Sequence, residues 1–117
     1  MSLLCWNCRG AGKPATVQAL RDLTRQLGPS VLCIVETQIE GSRVEKLAGS
    51  LGFTNSFAVN SCGRSGGLGV FWNDEIKLVV DGYSKYHINV VIDDLAHVKS
   101  RVTFVYGEAQ VAKDTRR

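Results

Sequence analysis

Leu3-Leu4-Cys5-Trp6-Asn7-Cys8-Arg9-Gly10 is the stretch that decides the fold. Its apolar run has no helical period and stops at Gly10 and Gly12, the pattern of a short buried strand that delivers a polar Asn7 at its C-terminal end. Val31-Leu32-Cys33-Ile34-Val35 repeats the pattern and hands over Glu36 and Thr37 where its apolar run stops. Between the two, Pro14 stands where a helix would begin, Val17, Leu20, Leu23 and Leu27 fall at spacings of three and four, and Gly28-Pro29 ends the helix. A strand, helix, strand unit sets its two strands parallel by a right-handed crossover, so Asn7 and Glu36 are expected at the same edge of one sheet. Open α/β sheets keep their ligands at such strand ends, and an amide oxygen beside a carboxylate can share one hard divalent cation.

Working outward, Ser42-x-x-Glu45 predicts a capping box at the head of a second helix whose stripe is Val44, Leu47, Ala48 and Leu51, closed by Gly52. Phe53 to Val59 reads as a strand leading into the loop from Asn60 to Gly67. From there strand follows strand: Leu68 to Trp72, Ile76 to Val80 with Asp81-Gly82 as a break, Tyr86 to Ile92, and Val102 to Tyr106. The expected fold class is α/β (α+β), a mixed sheet with two helices on one face and a run of antiparallel strands behind it. No internal repeat, low-complexity segment or domain boundary interrupts residues 1–117.

With 117 residues and 44% apolar content, the chain is the size of one ordinary globular domain. Its formal charge of +3 is spread from Arg9 to Arg117 without a dense run, which is weakly compatible with nucleic acid. The closing Lys113 to Arg117 reads as a solvated end. No signal peptide is visible and no apolar stretch approaches the ~20 residues of a membrane span. The expectation is therefore an intracellular protein, nuclear or cytoplasmic, with no membrane partner, whose cysteines at 5, 8, 33 and 62 are reduced thiols. Cys5 and Cys8 form a C-x-x-C, but along a strand residues three apart point to opposite faces, and no second pair follows to complete a zinc site. A small C-x-x-C redox domain stays open as an alternative and requires a low-pKa thiol at one of the two.

Trp6-Asn7-Cys8-Arg9-Gly10, Glu36-Thr37-Gln38, Gly63-Arg64-Ser65-Gly66-Gly67-Leu68 and Phe104-Val105-Tyr106-Gly107 resemble, in that order, the first half of the endonuclease/exonuclease/phosphatase superfamily. The likeness is strongest to the apurinic-endonuclease-like domain of plant non-LTR (LINE-type) retrotransposon reverse-transcriptase polyproteins. It implies the N-terminal half of a four-layer αββα sandwich, magnesium or manganese as cofactor, DNA as partner, and phosphodiester hydrolysis as chemistry. On that resemblance the chain is expected to be a partial domain, truncated at its C-terminus, with a sheet face left exposed and open to self-association.

The resemblance also implies roles. Asn7 matches the asparagine that positions the phosphate and the metal-bound water, and otherwise reads as a loop-capping asparagine. Glu36 matches the magnesium-binding glutamate; a carboxylate at the exit of a buried strand needs either a metal or a basic neighbour, and Arg9 is the candidate neighbour. Other branches of the superfamily carry Asp or Asn where Arg9 stands, and an arginine there matches the plant retrotransposon branch. Arg64, in a glycine-rich loop that matches no nucleotide-binding motif, is available for a phosphate. Tyr106 matches the tyrosine that hydrogen-bonds the scissile phosphate, although Ala109 stands where proline usually follows. Trp6 reads as core packing, and neither His87 nor His97 follows an aspartate as the family's catalytic histidine does. The Asp-x-Asn pair and terminal Asp-His of the family are absent, so the chain alone is expected not to nick DNA, and a non-catalytic nucleic-acid or protein-binding remnant is the alternative.

Overall fold

The computed structural model describes residues 2–62, 65–93 and 99–105, and the backbone of 108–113. Elements run β1 (Leu3–Asn7), α1 (Pro14–Leu27), β2 (Val31–Val35), α2 (Gly41–Ser50), β3 (Asn55–Val59), β4 (Leu68–Trp72), β5 (Lys77–Tyr83), β6 (His87–Asp93), β7 (Lys99–Val105) and β8 (Glu108–Lys113). They form two four-stranded sheets, ordered β1-β2-β4-β3 and β5-β6-β7-β8. The first is mixed, with β1 parallel to β2 and the other pairs antiparallel; the second is antiparallel throughout.

Alternation along the strands divides the apolar residues between two cores. Leu32, Ile34 and Phe71 face the helices and pack with Leu20, Val44, Leu47 and Ala48, with Trp6 at the margin. Val31, Cys33, Val35, Leu68 and Val70 point the other way and meet Ile88, Val90, Ile92, Val102 and Phe104 of the second sheet. The result is helices, sheet, sheet, three layers in which β2 is buried on both faces.

Several local expectations change. Leu27, the last member of the α1 stripe, is 55% exposed; Leu20 is fully buried, with Val17 packed against the same core and Leu23 half-buried. No capping box forms on α2: the helix begins at Gly41, Glu40 is its N-cap without a side-chain bond, and Asn60 Oδ1 accepts from the Gly41 N–H at 2.7 Å. An acceptor reaching across from the end of β3 has replaced the local one. At the other end, Gly52 at φ +90° lets the Phe53 N–H reach the Ala48 carbonyl and the Gly52 N–H reach Gly49, closing the helix as expected. Asp81-Gly82 does not break β5. Register shifts there by one residue, a bulge after which Tyr83 pairs with Ile88 and meets Phe57 at 5.1 Å between ring centroids. β8 lies where the sequence gives no strand pattern and pairs with β7 along six residues.

Candidate active site at the β1 and β2 rim

Register decides where the polar strand ends fall. Leu3 pairs with Val31 and the match holds to Asn7 opposite Val35, so Asn7 and Glu36 leave the same rim of the sheet. Asn7 continues the parity of Leu3 and Cys5, which face the second sheet. The segments stay joined past the strands: the Cys8 N–H donates to the Val35 carbonyl at 3.1 Å, Gly10 to Glu36 at 2.8 Å and Ala11 to Thr37 at 2.8 Å. On the far side the Thr37 N–H donates to Gly67 at 3.2 Å and the Gln38 N–H to Gly66 at 2.9 Å.

This rim is where the backbone departs from ordinary geometry. Among the described residues, Arg9 (φ +46°), Glu36 (φ +55°) and Gln38 (φ +58°) are the non-glycine positions in the left-handed region, and all three belong to it. Each such conformation costs of order 1–3 kcal/mol and persists where neighbours over-determine it, commonly at functional sites. Gly66 and Gly67 turn at φ +75° and +96°, as their sequence suggests, and a Cβ on Gly67 would collide with Thr37 Oγ1. Thr37 is fully buried, and among the described residues its hydroxyl has no hydrogen-bond partner. The sequence reading saw Thr37 only as the residue after Glu36; nothing local marks it as a buried orphan.

Individual side chains are placed as follows. Asn7 Oδ1 accepts from the Arg9 N–H at 3.1 Å, so the amide does cap its own loop. Glu36 is half-buried and Arg9 exposed, and among the described residues no ion pair joins them. Arg64 and Tyr106 lie outside the described residues. Beside the rim, Asn60, Ser65, Gly66, Gly67 and Lys85 line a cleft of about 160 Å³, and Lys85 of the β5–β6 turn is a cation the sequence reading did not single out. His87 is tied to Ser84 Oγ, which also accepts from the Tyr86 N–H at 3.1 Å, so it serves the β5–β6 turn. Among the described residues no three His, Cys, Asp or Glu side chains converge as a ready metal cluster.

A profile of the Endonuclease/Exonuclease/phosphatase family matches residues 4–108. No curated protein sequence matches the chain. Among solved structures, the AP endonuclease LMAP from Leishmania major aligns with a TM-score of 0.61 at 14% identity, over 90% of this chain and 39% of its own. The 3′ phosphatase NExo from Neisseria, solved with a product DNA hairpin, gives 0.61 and 14% over 91% of this chain and 41% of its own. The catalytic domain of Xenopus laevis APE2 gives 0.54 and 14% over 92% and 45%. The likeness is one of fold, and the chain spans roughly two fifths of the length of these structures.

Proposed function

We propose, from the premise that the chain belongs to the endonuclease/exonuclease/phosphatase family, that its rim is the metal-binding side of a retrotransposon-type endonuclease site acting on DNA. The observation that carries this reading is the in-register parallel pairing that brings Asn7 and Glu36 to one edge of the sheet, with Asn7 on the parity of Leu3 and Cys5. Magnesium accepts as few as one protein oxygen and retains water, so the Glu36 carboxylate fits that ion. When bound, the ion would neutralise charge developing on a phosphate. Glu36 would hold it. Asn7, with its oxygen engaged by Arg9, would turn its amide N–H groups toward a phosphate oxygen. Arg9 and Arg64 would contact flanking phosphates, and the Tyr106 phenol would donate to the scissile one. Residues 1–117 supply the part of the site that resides in the first half of the fold, and without the Asp-x-Asn and Asp-His groups they do not hydrolyse DNA alone.

A second reading, a non-catalytic binding module of the same fold, is favoured by the loop-capping bond of Asn7. A magnesium titration followed at the Glu36 backbone amide separates the two. The nuclease-derived site is expected to give a saturable shift that disappears in Glu36→Gln, while supercoiled plasmid stays intact. No shift at any magnesium concentration favours the binding module. Magnesium-dependent relaxation of plasmid that vanishes in Glu36→Ala refutes the inactivity.

A further inference from the structure

Two residues below the rim, Cys5 and Cys33 are direct register partners across the parallel β1–β2 pair. Both belong to the face that meets the second sheet; Cys33 is fully buried there, and Cys5 is half-buried on β1, an edge strand. Neighbouring strands run ~4.8 Å apart, which puts the two Cα atoms within the ~4.4–6.8 Å that a disulfide spans. The other thiols do not compete: Cys8 points to the helix side and donates to the Val35 carbonyl at 3.2 Å, and Cys62 is exposed on a separate loop.

We propose that Cys5 and Cys33 form a redox pair that takes a hydroperoxide as co-reactant and closes to a reversible disulfide joining β1 to β2. The two sulfurs divide the work. Cys5, half-buried on the edge strand, is the sulfur a peroxide reaches, and Cys33, fully buried opposite it, is the one placed to resolve the oxidised Cys5. With hydrogen peroxide, the Cys5 thiolate attacks one oxygen, the O–O bond breaks, and hydroxide leaves and takes a proton to become water. Cys5 is then a sulfenic acid. Cys33 sulfur attacks Cys5 sulfur, the S–O bond breaks, and a second water departs with the Cys33 proton. Two thiols have lost two electrons and two protons, and the peroxide has been reduced to two waters. The pair does not depend on any role of Asn7 or Glu36.

The test is a peptide map of the chain after a stoichiometric pulse of hydrogen peroxide, alkylated in denaturant and digested without reductant. The peptides carrying Cys5 and Cys33 are expected joined, released by a dithiol, and unaffected by Cys62→Ser; free thiols fall from four per chain to two. In Cys33→Val, which keeps the buried site apolar, no joined peptide forms and Cys5 proceeds to sulfinic acid. The parent map decides alone if that variant does not fold. Peptides joined through Cys8 or Cys62, Cys5 over-oxidised beside an alkylatable Cys33, or no loss of either thiol overturns the proposal.

Discussion

At the scale of single residues, the rim is held by contacts that leave little slack. Gly67 combines a left-handed backbone with direct contact to Thr37, so Gly67→Ala is expected to lose about 2–4 kcal/mol, read as a lower urea midpoint at unchanged slope. Thr37→Ala in the same chain should recover part of that loss, since the two side chains would no longer meet. Thr37→Val tests the orphan hydroxyl: removing an unsatisfied buried group of the same shape is expected to be neutral or stabilising by about 1 kcal/mol. Glu36 carries backbone strain at a position where the carboxylate is proposed to act. Glu36→Gly is therefore expected to raise the thermal midpoint by relieving about 1 kcal/mol while abolishing the magnesium response. Asn7 and Glu36 were legible in the sequence because each follows an unbroken apolar run. The clash that fixes Gly67 was not, since thirty residues separate it from Thr37 and only the sheet brings them together.

At the scale of elements, the two helices differ in how they start. α1 opens on Pro14 and ends on Gly28 at φ +51°, both readable from local chemistry. α2 depends on Asn60, nineteen residues from the N–H that it caps. Asn60→Ala is expected to cost about 1 kcal/mol in chemical denaturation, and Ser42→Ala to stay within about 0.5 kcal/mol, the reverse of what a capping box would give. Leu20→Ala, at the one fully buried position of α1, should cost about 2–5 kcal/mol, whereas Leu27→Ala should be near neutral. The bulge in β5 belongs to the same lesson. One extra residue brings Asp81 to Arg101 at 2.7 Å and lays the exposed Tyr83 against Phe57, and Asp81-Gly82 reads as a turn only while its neighbours are ignored.

At the scale of the whole molecule, the faces that most need covering are covered. Both faces of the first sheet are packed, one by helices and one by the second sheet, and the radius of gyration of 13.4 Å equals the about 13 Å of a compact chain of this length. The face left open is the outer side of β5, β6 and β7, where Val79 is 56% exposed among Lys77, Val91, Asp93 and Lys99. Interleaved charge limits its stickiness. Self-association through this face is expected to be weak, and Val79→Lys should shift sedimentation toward the monomer. Among the described residues no helix is long and apolar enough to cross a membrane.

The sequence by itself determined the parts governed by nearest neighbours: apolar runs that had to be strands, a helix bracketed by Pro14 and Gly28, and a crossover that made β1 and β2 parallel and so put Asn7 beside Glu36. Tertiary structure alone decided the rest, namely the pairing of β8, the Asn60 cap, the bulge at Asp81, the contact of Gly67 with Thr37 and the register of Cys5 against Cys33. The physical reason is range. Periodicity and turn chemistry act over a few residues, whereas a hydrogen bond or a steric limit between distant segments exists only after the sheets have closed.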